Sequence, residues 1–354
     1  MGKQMPFTLP YDGVSPRLAS IPAHAGNGAA VLGRVTLGKG AWLGARSVIR
    51  ADGHYVEIGD DFRLGARGTV HIAHEVYPTH IGAHVTAGVN SVIHACDVGD
   101  RCHIGRDVVI LDGSKVAAEC AFADGSVVFP RTVVAGGWLY EGAPAKPVRR
   151  LEPGELDELH ARSREAADET VDATPWAARI SAAGHLFVAH SARLKGHILA
   201  GSETGIWFGC DLDAGDHEIR FEESTNIQDN TIIRARSRPV TIGRETTIGH
   251  NVLMTDCAVG DHSLIGIGAV VAPGTVIGND VLLAAGAHTH EGQVLDEGWL
   301  YGGSPARRIT PLDDKKRLLV SSIWPTYCEY ARRFRKAQDD ERARSVGGDT
   351  RATG

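Results

Sequence analysis

Aromatic side chains are scarce in this sequence, 6% of 354 residues, which argues against a core of large rings packed between helices. No stretch approaches the ~18 consecutive apolar residues of a membrane span, and the opening MGKQMPFTLP lacks the apolar segment of a secretory signal. Met1-Gly2 is followed by Pro6 rather than Ser or Thr, so the myristoylation pattern is missing too. Excess positive charge is also absent: the net charge is -6 and the isoelectric point near 6.3, giving no electrostatic case for nucleic acid or an anionic membrane surface. The basic run Arg332 to Lys336 fits a solvated helix face. Six cysteines, Cys96, Cys102, Cys120, Cys210, Cys257 and Cys328, form no CxxC pair, so neither a disulfide framework nor a thiolate zinc site is implied. A cytoplasmic protein with a small-molecule substrate is expected, without a nucleic-acid or membrane partner.

Glycine, by contrast, is abundant at 43 residues, which suits many tight turns and small repeated units. Apolar residues recur every sixth position at Leu37, Leu43 and Ile49, at Ile58, Leu64 and Val70, and at Ile81, Ala87 and Ile93. After a one-residue slip the rows continue through Val98, Ile104, Ile110, Val116, Phe122, Val128 and Val134. That spacing fits neither a helix at ~3.6 nor an alternating strand at ~2. It is the period of a parallel β-helix, in which each unit is a short strand plus a turn and three units close one coil. The glycines in Ile58-Gly59, Leu64-Gly65, Ile81-Gly82 and Ile104-Gly105 are expected to serve the corners.

The pattern, slip included, returns at Phe221, Ile227 and Ile233, at Ile242, Ile248 and Met254, and at Val259, Ile265, Val271, Ile277 and Leu283. Both copies close on the same signature, Gly137-Trp138-Leu139-Tyr140 and Gly298-Trp299-Leu300-Tyr301, and helices are expected over Glu152 to Ala167 and Asp313 to Arg335, the second kinked or restarted at Pro325. The fold expected is all-β with C-terminal helices: two parallel β-helix (hexapeptide-repeat) domains in tandem, spanning 14–170 and 177–338. Asp168 to Trp176 reads as a linker, 339–354 as a disordered tail, and Arg17 to Ile21 as the only strand before residue 30.

The histidines divide between the copies. Aligned on the apolar rows, His71 matches Arg234, Val89 matches His250, and His94 matches Thr255. Three neutral imidazoles would leave zinc an open position, where a bound water falls in pKa to about 7 and yields hydroxide that attacks carbon dioxide or another electrophilic carbonyl. His74 and Glu75, just after His71, stand where a proton relay is useful. His24, His80, His84, His103, His160 and His262 fit solvated turns.

Several motifs together resemble the gamma-class carbonic anhydrases, left-handed parallel β-helix proteins with a C-terminal helix. In the second copy they are Ile206-Trp207-Phe208-Gly209, Thr225-Asn226-Ile227-Gln228-Asp229, Ile248-Gly249-His250 and Gly303-Ser304-Pro305-Ala306-Arg307. In the first they are Trp42-Leu43-Gly44-Ala45, Arg50-Ala51-Asp52, Val70-His71, Ile93-His94-Ala95-Cys96 and Gly142-Ala143-Pro144-Ala145-Lys146. The resemblance implies a metal between neighbouring β-helices, with His71 and His94 as the pair from one and His250 as the single ligand from the other. It implies zinc, with iron or cobalt as alternatives, and supporting roles for Arg50, Asp52, Asn226 and Gln228. Gly53 stands where the family carries an acidic residue. Since neither copy holds all three histidines, one split site per chain is expected, together with homo-oligomers formed through β-helix faces. The competing functions are a hexapeptide acyltransferase with an acyl-CoA donor, which calls for a long protruding loop where this chain has only the 72–80 insertion, and a non-catalytic assembly protein.

Overall fold

The computed structural model describes residues 4–165 and 177–348. Two β-helices follow one another along the chain, each made of strands two to eleven residues long in parallel rows. The rows are the six-residue ladder turned into stacks. Leu43, Leu64, Ala87, Ile104, Phe122 and Tyr140 lie over one another in successive coils. Leu37, Ile58, Ile81, Val98, Val116 and Val134 form a second stack, and Ile49, Val70, Ile93, Ile110 and Val128 a third. These side chains are buried, and each aliphatic one contributes roughly 1.5–3 kcal/mol by leaving water. The second domain repeats the scheme, as in Ile206, Ile227, Ile248, Ile265, Leu283 and Tyr301. Each β-helix ends in an antiparallel hairpin, Trp138–Glu141 with Lys146–Arg150 and Trp299–Gly302 with Arg307–Pro311.

The corner glycines do a different job from the one expected. The left-handed backbone falls two residues later, at Asp61, Arg67, His84 and Asp107. Gly65 is instead required by the stacking: a Cβ there would lie 2.6 Å from the carbonyl carbon of Gly88 in the next coil. Coils therefore approach too closely at these points for any side chain.

Other expectations are corrected by long-range contacts. Before residue 30 there are three strands, Phe7–Leu9, Arg17–Leu18 and His24–Ala25, rather than one. Phe7–Leu9 pairs with Ala30–Leu37, and Phe7 stacks on His190 of the second domain at 4.3 Å, so partners distant in sequence stabilise it. Among the described residues the first helix, α1, spans Glu155–Glu165 and starts later than expected, after Pro153-Gly154. The second, α2, runs as one helix over Asp314–Gly348 with Pro325 inside it. Residues 339–348 are thus helical, not disordered. Phe334 is fully buried and Gln338 bonds His190 N and Val188 O, so the packed part nucleates a charged extension bearing the pair Arg344–Glu341. The expected linker 168–176 and the end of the tail, 349–354, lie outside the described residues. No helix among the described residues is long and apolar enough to cross a membrane.

The domains meet side by side and share a core. Leu9, Tyr11, Leu32 and Val48 of the first join Phe187, Trp207, Phe208 and α2 residues Tyr327, Tyr330 and Phe334 in one apolar cluster. Arg46 donates to the carbonyls of Gly209 and Cys210 at 2.8 and 3.0 Å across the junction.

Candidate metal centre

Two adjacent strands set the first part of the site. Thr69–His71 and Val92–His94 pair in parallel with His94 opposite His71, so the two imidazoles stack on neighbouring coils. His250 follows strand Thr247–Ile248 in the second domain, and its neighbour Asn251 ties that corner to the first. Asn251 accepts from Thr69 Oγ1 at 2.6 Å and donates to Arg67 O at 2.8 Å and Asn90 Oδ1 at 2.7 Å. The ring centroids of His71, His94 and His250 come within 4.8 to 5.5 Å of each other, and their ligand atoms all lie within 4.8 Å.

The hydrogen bonds select which nitrogens face inward. His71 Nε2 lies 3.0 Å from Asp52 Oδ1 and His94 Nδ1 lies 2.6 Å from Asp112 Oδ1. Ionised carboxylates only accept, so these ring nitrogens carry the protons and leave His71 Nδ1 and His94 Nε2 with free lone pairs. Those two atoms are 3.3 Å apart, matching the edge of a tetrahedron around zinc with Zn–N bonds of about 2.0–2.1 Å. His250 Nδ1 faces a third carboxylate, Asp229 Oδ2, at 3.2 Å but without a well-formed hydrogen bond; a small shift of the ring would make one and leave Nε2 with the free lone pair.

Charge argues the same way. Arg50, fully buried, pairs with Asp52 of its own strand and, through Nε at 2.9 Å, with Asp229 of the other domain, while its guanidinium lies over Trp207 at 4.3 Å. Asp112 adds another carboxylate, so the surroundings are short of positive charge until a cation enters. Burial raises the pKa of Asp52 although Arg50 opposes it; for Asp229 burial is outweighed by Arg50 and His250, and the pKa falls. Burial pushes His250 down to about 4 and holds His71 well below the usual histidine range, which keeps both imidazoles neutral as ligands. The donor set fits a divalent metal with imidazole preference.

The remaining expected residues divide. Gln228 lines the cavity beside the triad and donates to Asn226 Oδ1 at 3.3 Å; Asn226 donates to Thr247 Oγ1 at 2.9 Å. Arg50 and Asp52 do not line the cavity; Asp52 contacts His71 and Arg50 contacts Asp229. His74 lines the cavity, and its Nδ1 contacts the hydroxyl of Tyr330. That pair occupies the space a side chain at position 53 would need, which is the local reason Gly53 is a glycine. Glu75 sits at the loop tip with its side chain 79% exposed and is not brought to the triad. Sequence reasoning missed Asp112, Asn251, Tyr327 and Tyr330. Asp112 lies one coil below His94, an 18-residue step that could have pointed to it; the tyrosines come from a distant helix with no such signal. At the counterpart positions of the second domain, Arg234 pairs with Asp211 at 2.9 Å and Arg236 with Asp213 at 3.0 Å, so ion pairs stand where a second triad would be.

A family profile described as the hexapeptide repeat of succinyl-transferase matches residues 78–112 and 258–287. Mitochondrial gamma carbonic anhydrase 1 of Arabidopsis thaliana is 32% identical over 152 residues, 41% of this chain and 55% of the relative. The protein YrdA of Escherichia coli is 29% identical over 135 residues, 36% of this chain and 73% of the relative. The chain thus spans about half the length of the plant relative. A putative acetyltransferase from Desulfovibrio desulfuricans superposes over 84% of this chain and 70% of its own with a TM-score of 0.51 at 14% identity, a likeness of fold.

Proposed function

Because the chain belongs to the hexapeptide-repeat, gamma carbonic anhydrase-like family as two tandem copies, we propose that it is a metal-dependent enzyme with one centre, His71, His94 and His250, acting on carbon dioxide or a related carbonyl compound. The observation that carries this is the convergence of three buried or half-buried histidines from two halves of one chain, with ligand atoms within 4.8 Å. Zinc bound there would polarise a water and bring its pKa toward about 7.

The chain's own residues then have separable tasks. Asp52 and Asp112 hold the tautomers of His71 and His94, so each presents a lone pair without rearrangement. Gln228, backed by Asn226, offers an amide at the cavity wall to orient the attacking water or the product. His74, held at Nδ1 by Tyr330 and 39% exposed, can take a proton at Nε2 and release it to solvent. Homo-oligomers through the remaining β-helix faces belong to the same reading.

The test is zinc content, by mass spectrometry, of the wild type and of His94→Ala and His250→Ala, alongside a carbon dioxide hydration assay. Zinc should be lost in both variants while the circular dichroism is retained. Unchanged zinc in either would remove that ligand from the site.

A further inference from the structure

His71 and His94 open on a cavity of about 700 Å³ between the two domains, roofed by α2, a volume typical of sites for drug-sized ligands and far beyond what a three-atom substrate fills. Its walls are apolar and come from three elements: Leu111 and Phe129 of the first domain, Leu264 and Leu282 of the second, and Leu319 and Ile323 of α2. Phe129 and Leu319 remain 40% and 53% exposed. Large apolar side chains left open around a concave surface mark a place where an apolar group is received. His71, His94 and Gln228 lie together in the lining, and Asp112, Ser322 and Thr326 add polar groups among the apolar ones.

The shape has a length as well as a polarity. On the first domain the cavity runs from His94 past Asp112 to Pro130, two coils further on, and on the second from Gly249 past Ile267 to Ala285, again two coils. Coils stack at about 4.8 Å, so the apolar part extends roughly 10 Å from the triad. At about 1.2 Å per bond of extended chain that accommodates an alkyl tail of about eight bonds.

Resting on the metal-site reading above, we propose that the substrate class is a carboxylic ester with an acyl chain of up to about eight carbons, the carbonyl at the histidines and the tail between the domains. In hydrolysis the oxygen of water joins the acyl carbon, the acyl carbon–oxygen bond breaks, and the alcohol leaves with a proton; nothing is oxidised or reduced. The apolar walls supply binding and exclude bulk water, and the histidine end receives the carbonyl.

The test titrates the full-length, zinc-loaded protein with acetate, butanoate, hexanoate and octanoate by calorimetry, and follows hydrolysis of the matching 4-nitrophenyl esters. Affinity should rise about fourfold per methylene and level off near eight carbons, with kcat/KM following. Leu282→Trp and Ile323→Trp fill the cavity from the second domain and from α2; both should abolish the chain-length dependence while zinc content stays at the wild-type level. A protein that holds zinc but binds octanoate no better than acetate, or keeps its chain-length dependence in both tryptophan variants, overturns the ester proposal and leaves the metal site standing. A protein that fails to hold zinc overturns the metal site, and the hydrolysis with it.

Discussion

At the scale of single residues, the proposed site rests on carboxylates that hold its histidines. Asp112 fixes the proton on His94 Nδ1, and Asp52 does the same for His71 Nε2 while leaning on Arg50. Asp112→Asn keeps the shape but removes the charge and allows the amide to donate, so the tautomer is no longer imposed. Zinc affinity, read by competition with a chelating dye, should fall about 10- to 100-fold. An unchanged affinity would show that Asp112 only solvates the ring. Of these carboxylates, Asp52 was legible because it lies two residues from Arg50 in a recognisable motif. Asp112 was not, because its role exists only once one coil is laid over the next.

Among the elements, α2 carries most of what the chain's linear pattern left out. Its residues Tyr327 and Tyr330 reach the triad region, with the Tyr327 hydroxyl 3.4 Å from His250 Nε2 and 3.3 Å from an Arg50 nitrogen. Phe334, fully buried, packs on Tyr11 of the first domain at 5.4 Å and on Trp207 of the second at 5.8 Å. Phe334→Ala should therefore cost about 3–5 kcal/mol in denaturant unfolding. A loss near 1 kcal/mol would mean that α2 rests on the domains without holding them together. The helix was expected from its composition, but its length was underestimated. Helix formers and ion pairs past residue 338 add little by themselves; attached to a docked segment, they extend it.

For the whole molecule, the consequence of tandem fusion is that all three histidines of the proposed centre belong to one chain. Metal retention should then be independent of protein concentration, and zinc should bind at about one ion per chain. Dilution over a hundredfold range followed by zinc analysis checks both. Loss of metal on dilution would place the site between chains, and close to two ions per chain would reinstate the second-domain position now filled by Arg234 and Thr255. The junction has the chemistry for a permanent contact: the buried Arg50–Asp229 pair, the Asn251 contacts with Thr69, Arg67 and Asn90, and a shared apolar cluster.

The repeat, the two copies and the division of histidines between them were all legible in the chain, because a β-helix writes its rows at a fixed spacing and each apolar position has one inward direction. His71 and His94 had to be neighbours once the register was known, since they follow the inward residues Val70 and Ile93 of adjacent coils. What linear spacing alone could not decide was which faces of the two β-helices meet. That choice brings His250 to the pair, sets Asp229 against Arg50, and leaves an apolar cavity beside the triad. It depends on surface complementarity between side chains more than 160 residues apart, such as Thr69 and Asn230, which no local pattern encodes.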